Sequence, residues 1–164
     1  MRSFIVKEAI PWREMSSDEL VVMQRYYFDA PPGAVFKALT KPKKLVKWFL
    51  KAGKIKPEEG SPYTFTWKDG TSHTGKVEKV ADNKMLVLTW PDKVNDQIYE
   101  TKVSFALTKK GKGTLLVLEH TGFKEGADWV LLYGAIQAGW AYYMTNLKSV
   151  MGEGVDLRSK LDDF

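Results

Sequence analysis

The side chains of this sequence that most readily do chemistry at neutral pH are two histidines, His73 and His120. Histidine acts as a general acid or base and as a metal ligand. His120 lies on the inward parity of a predicted strand, either as a hydrogen-bonded core residue or as a polar anchor for a ligand in an apolar pocket. His73 follows a predicted hairpin turn, and the sequence leaves open whether it shares that face. Two histidines alone predict no transition-metal site made only of protein ligands.

The other catalytic residue types do not form a recognisable set. Cysteine is absent, which excludes thiolate catalysis, disulfides and cysteine-ligated zinc or iron–sulfur sites. Glu100 and Glu119 lie on the outward parity of their strands, so no carboxylate pair is predicted at a useful separation. The GKG stretch at 111–113 indicates a hairpin loop and precedes no helix, unlike a phosphate-binding loop. We therefore expect no catalytic residue, no metal and no cofactor, and an enzyme is the less favoured hypothesis.

A lysine-rich run, VFKALTKPKKLVKWFLKAGKIK at 35–56, contains eight lysines and no acidic residue. Trp48 and Phe49 share a helical face with Leu45, and the lysines mostly avoid that face. This pattern favours a helix docked by its apolar side over a nucleic-acid groove, which needs exposed aromatic residues for stacking. The lysine side is either a solvated surface or a binding face for an acidic partner or ligand group. The residues of this basic face are Lys43, Lys44, Lys47 and Lys51.

Aromatic residues make up 13% of the sequence, and six of them are tryptophan. They fill a core, since each buried side chain contributes about 2–3 kcal/mol without any ligand, but they also line apolar pockets. Small residues on the last predicted helix, between Gly134 and Ala141, leave room beside the aromatic rings if they face inward. The predicted cavity-lining residues are Phe36, Trp48, Phe65, Trp67, Trp90, Phe105, Leu118, His120, Tyr133 and Trp140.

Two short helices are predicted to follow the first strand. Residues 20–29 alternate in polarity as a strand does. Proline at 31 and 32 begins a helix that ends near Thr40, because the residue before Pro42 disfavours helix. Pro42 begins a second helix, which we expect to end at Gly53. Residues 1–17 precede these elements as a short arm or an extra edge element.

The rest of the chain predicts an antiparallel sheet and one long helix. Alternating segments separated by turn residues indicate five or so strands between residues 62 and 121. Apolar residues then recur at helical spacing from about Asp128 to Met151, with Asp128 as the expected cap and Gly152 or Gly154 as the expected end. The predicted fold class is α+β, with six or seven antiparallel strands curved around the C-terminal helix.

The chain carries a series of short motifs in this order: Ala30-Pro31, Val35-Phe36, Leu39-Thr40, Trp48-Phe49 and the segments 85–90, 113–123, 138–140 and 154–158. Together they resemble the activator of heat-shock-protein-90 ATPase homologue-like family of the START-like helix-grip superfamily. The resemblance extends over residues 20–158 and implies a single helix-grip domain over 1–164, with a cavity between the sheet and the long helix. Relatives in that superfamily include a co-chaperone domain, lipid carriers and aromatic cyclases.

Three functions follow as hypotheses. The leading one is binding of a hydrophobic small molecule or lipid in the cavity, with the two short helices as a lid. The second is stimulation of a chaperone ATPase through an acidic protein partner, and the third is a cyclase-type enzyme. No segment has the roughly 18 apolar residues of a membrane span, and the N-terminus resembles no secretory signal. We expect a cytoplasmic protein with no membrane span and no specific nucleic-acid partner.

Overall fold

Residues 19–158 are described by a computed structural model of the chain, and they form seven strands and three helices. The predicted arm at 1–17 lies outside the described residues. The helices are α1 (Pro32–Thr40), α2 (Pro42–Leu45) and α3 (Ala127–Glu153). The strands are β1 (Val22–Phe28), β2 (Ala52–Lys54), β3 (Pro62–Thr66), β4 (Ser72–Ala81), β5 (Met85–Val94), β6 (Gln97–Lys110) and β7 (Gly113–Thr121).

All seven strands form one antiparallel sheet in the order β1-β7-β6-β5-β4-β3-β2. The prediction of six or seven antiparallel strands is confirmed, although the three-residue β2 is too short for its pattern to be recognised. The register places one row of paired residues across five strands: Val77, Leu88, Val103, His120 and Val22. All five are buried. Because side chains alternate between faces, this row marks the inner face of the sheet.

The inner face packs against α3 to form the main core, as the helix-grip prediction requires. Trp140, Met144 and Leu147 of the helix share one hydrophobic cluster with strand residues such as Leu88 and Leu118. Packing of a single long amphipathic helix on one sheet face produces the two-layer α+β architecture.

Both ends of α3 lie within two residues of the prediction, but the residue at the N-cap differs from the expected one. Gly126 occupies the N-cap position, and no side chain caps the helix. The expectation that Asp128 is the cap is wrong, because its carboxylate accepts a hydrogen bond from the Asn95 side-chain amide at 2.8 Å instead. Gly154 ends the helix with φ of 68°, a left-handed conformation that favours glycine.

The two short helices follow β1 as predicted, but the second ends earlier than expected. Helix α1 ends at Thr40, whereas α2 spans only four residues and does not reach Gly53. The physical reason is that the chain joins the sheet: the Lys51 backbone N–H donates to the Thr66 carbonyl at 2.8 Å, and β2 follows at once.

Candidate functional site

The space between the sheet and α3, predicted as a cavity, is filled by aromatic side chains. The void that remains among them is about 10 Å³, which is at most the space of one water molecule. The Trp90 and Trp140 rings lie 5.2 Å apart, and Phe105 and Trp140 lie 5.6 Å apart. Around Trp140 the interior is therefore a packed core, and the void there is smaller than a ligand.

The small residues of α3 do not enlarge this space. Gly134, Ala135, Ala138 and Ala141 are exposed, and a methyl group added at Gly139 would meet no atom within 4 Å. The expectation of room beside the aromatic rings required an inward orientation, which the four exposed residues do not have, whereas Gly139 is half-buried with open space beside it. The helical period that turns Trp140 toward the sheet turns the four exposed residues toward solvent.

Eight of the ten predicted cavity residues are buried and two are half-buried. The half-buried pair is Trp67, at the end of the aromatic core, and Tyr133, whose ring packs against Phe123 at 5.5 Å. Contact of these ten residues with a ligand stays a prediction. The eight buried residues are Phe36, Trp48, Phe65, Trp90, Phe105, Leu118, His120 and Trp140.

His120 belongs to a buried chain of hydrogen bonds. The Trp140 indole N–H donates to His120 Nδ1 at 3.0 Å, so the proton of the neutral imidazole is on Nε2. Nε2 lies 2.7 Å from Thr101 Oγ1, whose hydroxyl donates to Asp92 Oδ2 at 2.5 Å. Both ring nitrogens are thus bonded to protein groups, which favours the core-histidine interpretation over the ligand-anchor one.

The protonation state of His120 follows from the same surroundings. Burial lowers its pKa, and the Asp92 carboxylate, 3.8 Å from Nε2, opposes this only in part. A neutral ring agrees with the acceptor role of Nδ1 toward Trp140. The sequence did not predict that Thr101 and Asp92 join His120 in this series of hydrogen bonds, because the two residues lie on different strands and meet only through the strand register.

A cleft of about 370 Å³ opens at the surface between the β3–β4 hairpin and α3. This volume lies within the range of small-molecule sites, about 300–1,000 Å³. Aromatic side chains from three parts of the chain line it, and polar side chains complete the wall. The lining residues are Phe49, Trp67, Lys68, Asp69, Thr71, His73, Tyr142, Tyr143 and Arg158.

Phe49 separates the outer cleft from the core, because its ring lines both the cleft and the small inner void. Its ring centroid lies 4.9 Å from that of Tyr143 and 5.3 Å from that of Trp67, which also line the cleft. On the core side it lies 5.5 Å from Trp140. An apolar molecule in the cleft would therefore rest against the edge of the aromatic core.

His73 is the histidine that reaches the cleft. Its ring packs edge-on against Trp67 at 4.8 Å and Trp90 at 5.1 Å, and among residues 19–158 its buried Nδ1 has no hydrogen-bond partner. Burial lowers its pKa, so the ring is neutral at pH 7. His73 and His120 lie on either side of Trp90 and do not form a shared polar site.

Arg158 closes the end of the cleft beside α2 and is only 5% exposed. Its guanidinium donates to the Val46 carbonyl at 2.9 Å and the Leu50 carbonyl at 3.2 Å. It also donates to the Asp156 carboxylate through Nε and Nη2. The segment after α3 is thereby fastened to the turn after α2, and we call this set of bonds the C-terminal clamp.

Asn146 completes the C-terminal clamp from inside α3. Its side-chain amide donates to the Trp48 carbonyl at 2.8 Å and to Asp156 at 2.9 Å, and it accepts from the Leu157 backbone N–H at 2.7 Å. The bond from Arg158 lowers the Asp156 pKa to about 2, with further bonds from Asn146 and the Arg158 backbone N–H.

The clamp should make stability depend on pH below about 4. A carboxylate with a depressed folded-state pKa stabilises the fold above its unfolded pKa, and this contribution is lost as the pH falls through the folded value. For Asp156 the window runs from 3.8 down to about 2. In urea titrations between about pH 5 and about pH 2, the stability advantage of the wild type over Asp156→Asn should shrink. An advantage that stays constant across this window would contradict the assignment.

The basic face lies on the outer side of α2 and the turn after it. Lys43, Lys44, Lys47 and Lys51 are exposed, and Trp48 beneath them is buried. Within the part of the chain that the structure describes, none of the four lysines forms an ion pair. The sequence predicted this arrangement, in which the lysines face outward and the aromatic rings face inward. Partner binding by these lysines stays a prediction.

Residues 19–158 contain neither a cluster of metal-ligating side chains nor a helix able to span a membrane. No three histidine or acidic side chains lie close enough together there to bind a metal ion. None of the helices in that range combines the length and apolar character needed to cross a membrane.

Most of the cleft residues were not identified as site residues from the sequence. Of the nine, only Trp67 is among the predicted cavity residues. Tyr142 and Tyr143 follow one another on α3, and helical periodicity assigns only one of them to the core. Arg158 lies in the family-like segment 154–158, which was the available signal, but its role depends on carbonyls about 110 residues earlier in the chain.

Comparison with known proteins identifies a family and a set of related structures. A family model described as activator of Hsp90 ATPase homolog 1-like protein matches residues 29–152. Among curated proteins, no significant match is found. The solved structure of protein MLL2253 from Mesorhizobium loti is 27% identical with a TM-score of 0.72, and the match covers 79% of this chain and 95% of that one.

Two further solved structures are similar in fold alone, because their sequence identity is low. The Aha1 dimer from Colwellia psychrerythraea is 23% identical with a TM-score of 0.70, covering 82% of this chain and 97% of that one. CalU16 from Micromonospora echinospora is 22% identical with a TM-score of 0.67, covering 82% and 77% respectively.

Proposed function

The chain belongs to the activator of Hsp90 ATPase homolog 1-like family, and from this premise we propose that it binds a flat apolar molecule in the outer cleft. The observation that carries the proposal is the cleft itself, about 370 Å³ in volume and walled by Phe49, Trp67, Tyr142 and Tyr143. Apolar and aromatic walls with a few polar groups are typical of small-molecule sites. The cytoplasmic location expected from the sequence stays a prediction.

The packed interior supports the outer cleft, and not the inner cavity, as the first binding site. A ligand that passed from the outer cleft to the inner void would have to displace Phe49, because this ring lines both spaces. Transferring a buried Phe side chain to water costs about 2–3 kcal/mol. A ligand in the outer cleft avoids this cost, and a deeper position requires contacts that compensate for it.

The first test fills the cleft without altering the core. Thr71 lines the cleft and is exposed, so Thr71→Trp should occupy the space and weaken binding of 2-naphthol about tenfold or more, the equivalent of about 1.4 kcal/mol. The matched control is Thr74→Trp, an exposed position on the same hairpin that does not line the cleft. Isothermal titration calorimetry measures both. Equal binding by the two variants would contradict the proposed site.

A second function is favoured by the basic face. Lys43, Lys44, Lys47 and Lys51 form an exposed cationic surface with no acidic partner among the described residues. Such a surface complements an acidic protein and speeds its association. The family name supports a chaperone ATPase as that protein. Salt-sensitive stimulation of such an ATPase distinguishes this function from ligand binding, and turnover of a bound ligand would distinguish the cyclase-type alternative.

A further inference from the structure

The guanidinium of Arg158 has one N–H group left over at the wall of the cleft. An arginine side chain carries five N–H donors. Nε and Nη2 donate to Asp156 and to the Val46 carbonyl, and Nη1 donates to the Leu50 carbonyl. These bonds use four donors, and within residues 19–158 the second N–H of Nη1 has no protein acceptor. Arg158 lines the cleft, so a molecule bound there would lie beside this guanidinium.

A second unsatisfied polar atom belongs to His73, which also lines the cleft. His73 Nδ1 is buried and has no hydrogen-bond partner in the described part of the chain. A buried polar atom without a partner is unfavourable, so a ligand group that bonds to it gains affinity. The neutral ring either accepts or donates at Nδ1, according to its tautomer.

The two atoms belong to opposite ends of an aromatic wall. The His73 ring packs against Trp67 at 4.8 Å, and the Trp67 ring lies 5.3 Å from Phe49. Phe49 directly precedes Leu50, whose carbonyl is bonded to Arg158. The order along the wall is therefore His73, Trp67, Phe49 and Arg158. A flat molecule lying along these rings meets a hydrogen-bonding nitrogen at one end and a guanidinium at the other.

The lining contains two cationic residues and one carboxylate. Lys68 and Arg158 are cationic, and Asp69 is the single carboxylate among the lining residues. Asp69 is directed into its own turn, where it accepts a hydrogen bond from the Thr71 backbone N–H at 2.8 Å. Arg158 is itself paired with Asp156, so the discrimination between an acid and an amine depends on the donor character of its guanidinium and not on a net charge of the wall.

We propose that the ligand of the cleft is an aromatic carboxylic acid, with the carboxylate at the Arg158 end and a hydroxyl group near His73. This assignment rests on the proposed function and adds the chemical class. A planar carboxylate suits a guanidinium that offers a single remaining donor, because charge-assisted bonds to carboxylates are strong even when only one is made. The hydroxyl satisfies His73 Nδ1 in either tautomer, because it both donates and accepts.

The test is calorimetric titration of the full chain with four naphthalene probes of equal ring size. They are 6-hydroxy-2-naphthoate, 2-naphthoate, 2-naphthol and 2-(aminomethyl)naphthalene. A charge-assisted hydrogen bond contributes about 1.5–3 kcal/mol, so 2-naphthoate should bind about tenfold or more tighter than the amine. The hydroxyl of 6-hydroxy-2-naphthoate should add about two- to tenfold over 2-naphthoate.

Substitution of His73 tests the hydroxyl end of the site independently of the carboxylate end at Arg158. His73→Phe keeps an aromatic ring against Trp67 but removes Nδ1, so it should abolish the hydroxyl advantage and keep the preference for acid over amine. Thr74→Val, on the adjacent and exposed position of β4, is the matched control and should change neither. An undiminished hydroxyl advantage in His73→Phe would overturn the His73 assignment.

The outcomes distinguish this inference from the function on which it rests. Equal affinity of the wild type for the acid and the amine would overturn the proposed ligand class and leave cleft binding intact. Absence of binding by all four probes would overturn both. Tight binding of the acid that Thr71→Trp abolishes would support both.

Discussion

Trp140→Ala should lower the free energy of unfolding by about 3–5 kcal/mol, the usual cost of deleting a large buried ring. Trp140 is 4% exposed and packs against Trp90, Phe105 and Phe49. The substitution also leaves His120 Nδ1 without the indole N–H that now bonds to it, which places the expected loss toward the upper end of this range. Guanidinium unfolding followed by circular dichroism measures the change.

Two variants on the same helix show which part of that loss comes from the ring. Trp140→Phe keeps most of the packing and removes the N–H, so it should cost about 1–3 kcal/mol. Leu131→Ala is the matched control, because Leu131 is 72% exposed and its truncation should change stability by less than about 0.5 kcal/mol. A loss below about 1 kcal/mol in Trp140→Ala would mean that the core is not packed as described.

Arg158→Ala should destabilise the protein by about 3 kcal/mol, because it breaks the C-terminal clamp. The Val46 and Leu50 carbonyls each lose a hydrogen bond, and a buried polar group left unsatisfied costs about 1–3 kcal/mol. Asp156 adds less than a fully buried carboxylate would, since its side chain is 34% exposed and water solvates it.

The geometry of the clamp predicts that charge alone will not restore it. Arg158→Lys should recover less than half of the loss, because an ammonium group cannot reach two carbonyls and a carboxylate in one plane. Lys148→Ala removes a cation from an exposed position of α3 and should be nearly neutral. If Arg158→Lys is as stable as the wild type, the forked hydrogen-bond pattern has no role in stability.

The clamp and the cleft are linked through Arg158. The same side chain fastens residues 154–158 to the turn after α2 and lines the cleft. A side chain held by four bonds is preorganised, so a ligand that uses the fifth donor loses little additional conformational entropy. Arg158 therefore contributes to stability and, in our proposal, also to the recognition of an acid.

Much of the fold was predictable from the sequence because the signals are local. Alternation of apolar residues in β5, β6 and β7 and helical spacing in α3 each arise within a few residues. The order of these elements, with the family-like motifs, indicated an antiparallel sheet of six or seven strands and its covering helix. The buried and exposed sides of the α2 region were equally predictable, because apolar and charged side chains there separate by periodicity.

The sequence by itself therefore determined the fold class, the inner face of the sheet and the inward direction of Trp140 and His120. Only the tertiary structure decided that the aromatic rings fill the inner space and that the opening lies beside Trp67, His73 and Arg158. Periodicity states which side of an element a residue occupies, but not how closely residues from distant segments pack. Whether inward-facing rings enclose a cavity depends on their mutual distances, and those distances are set by the register and by contacts such as the clamp.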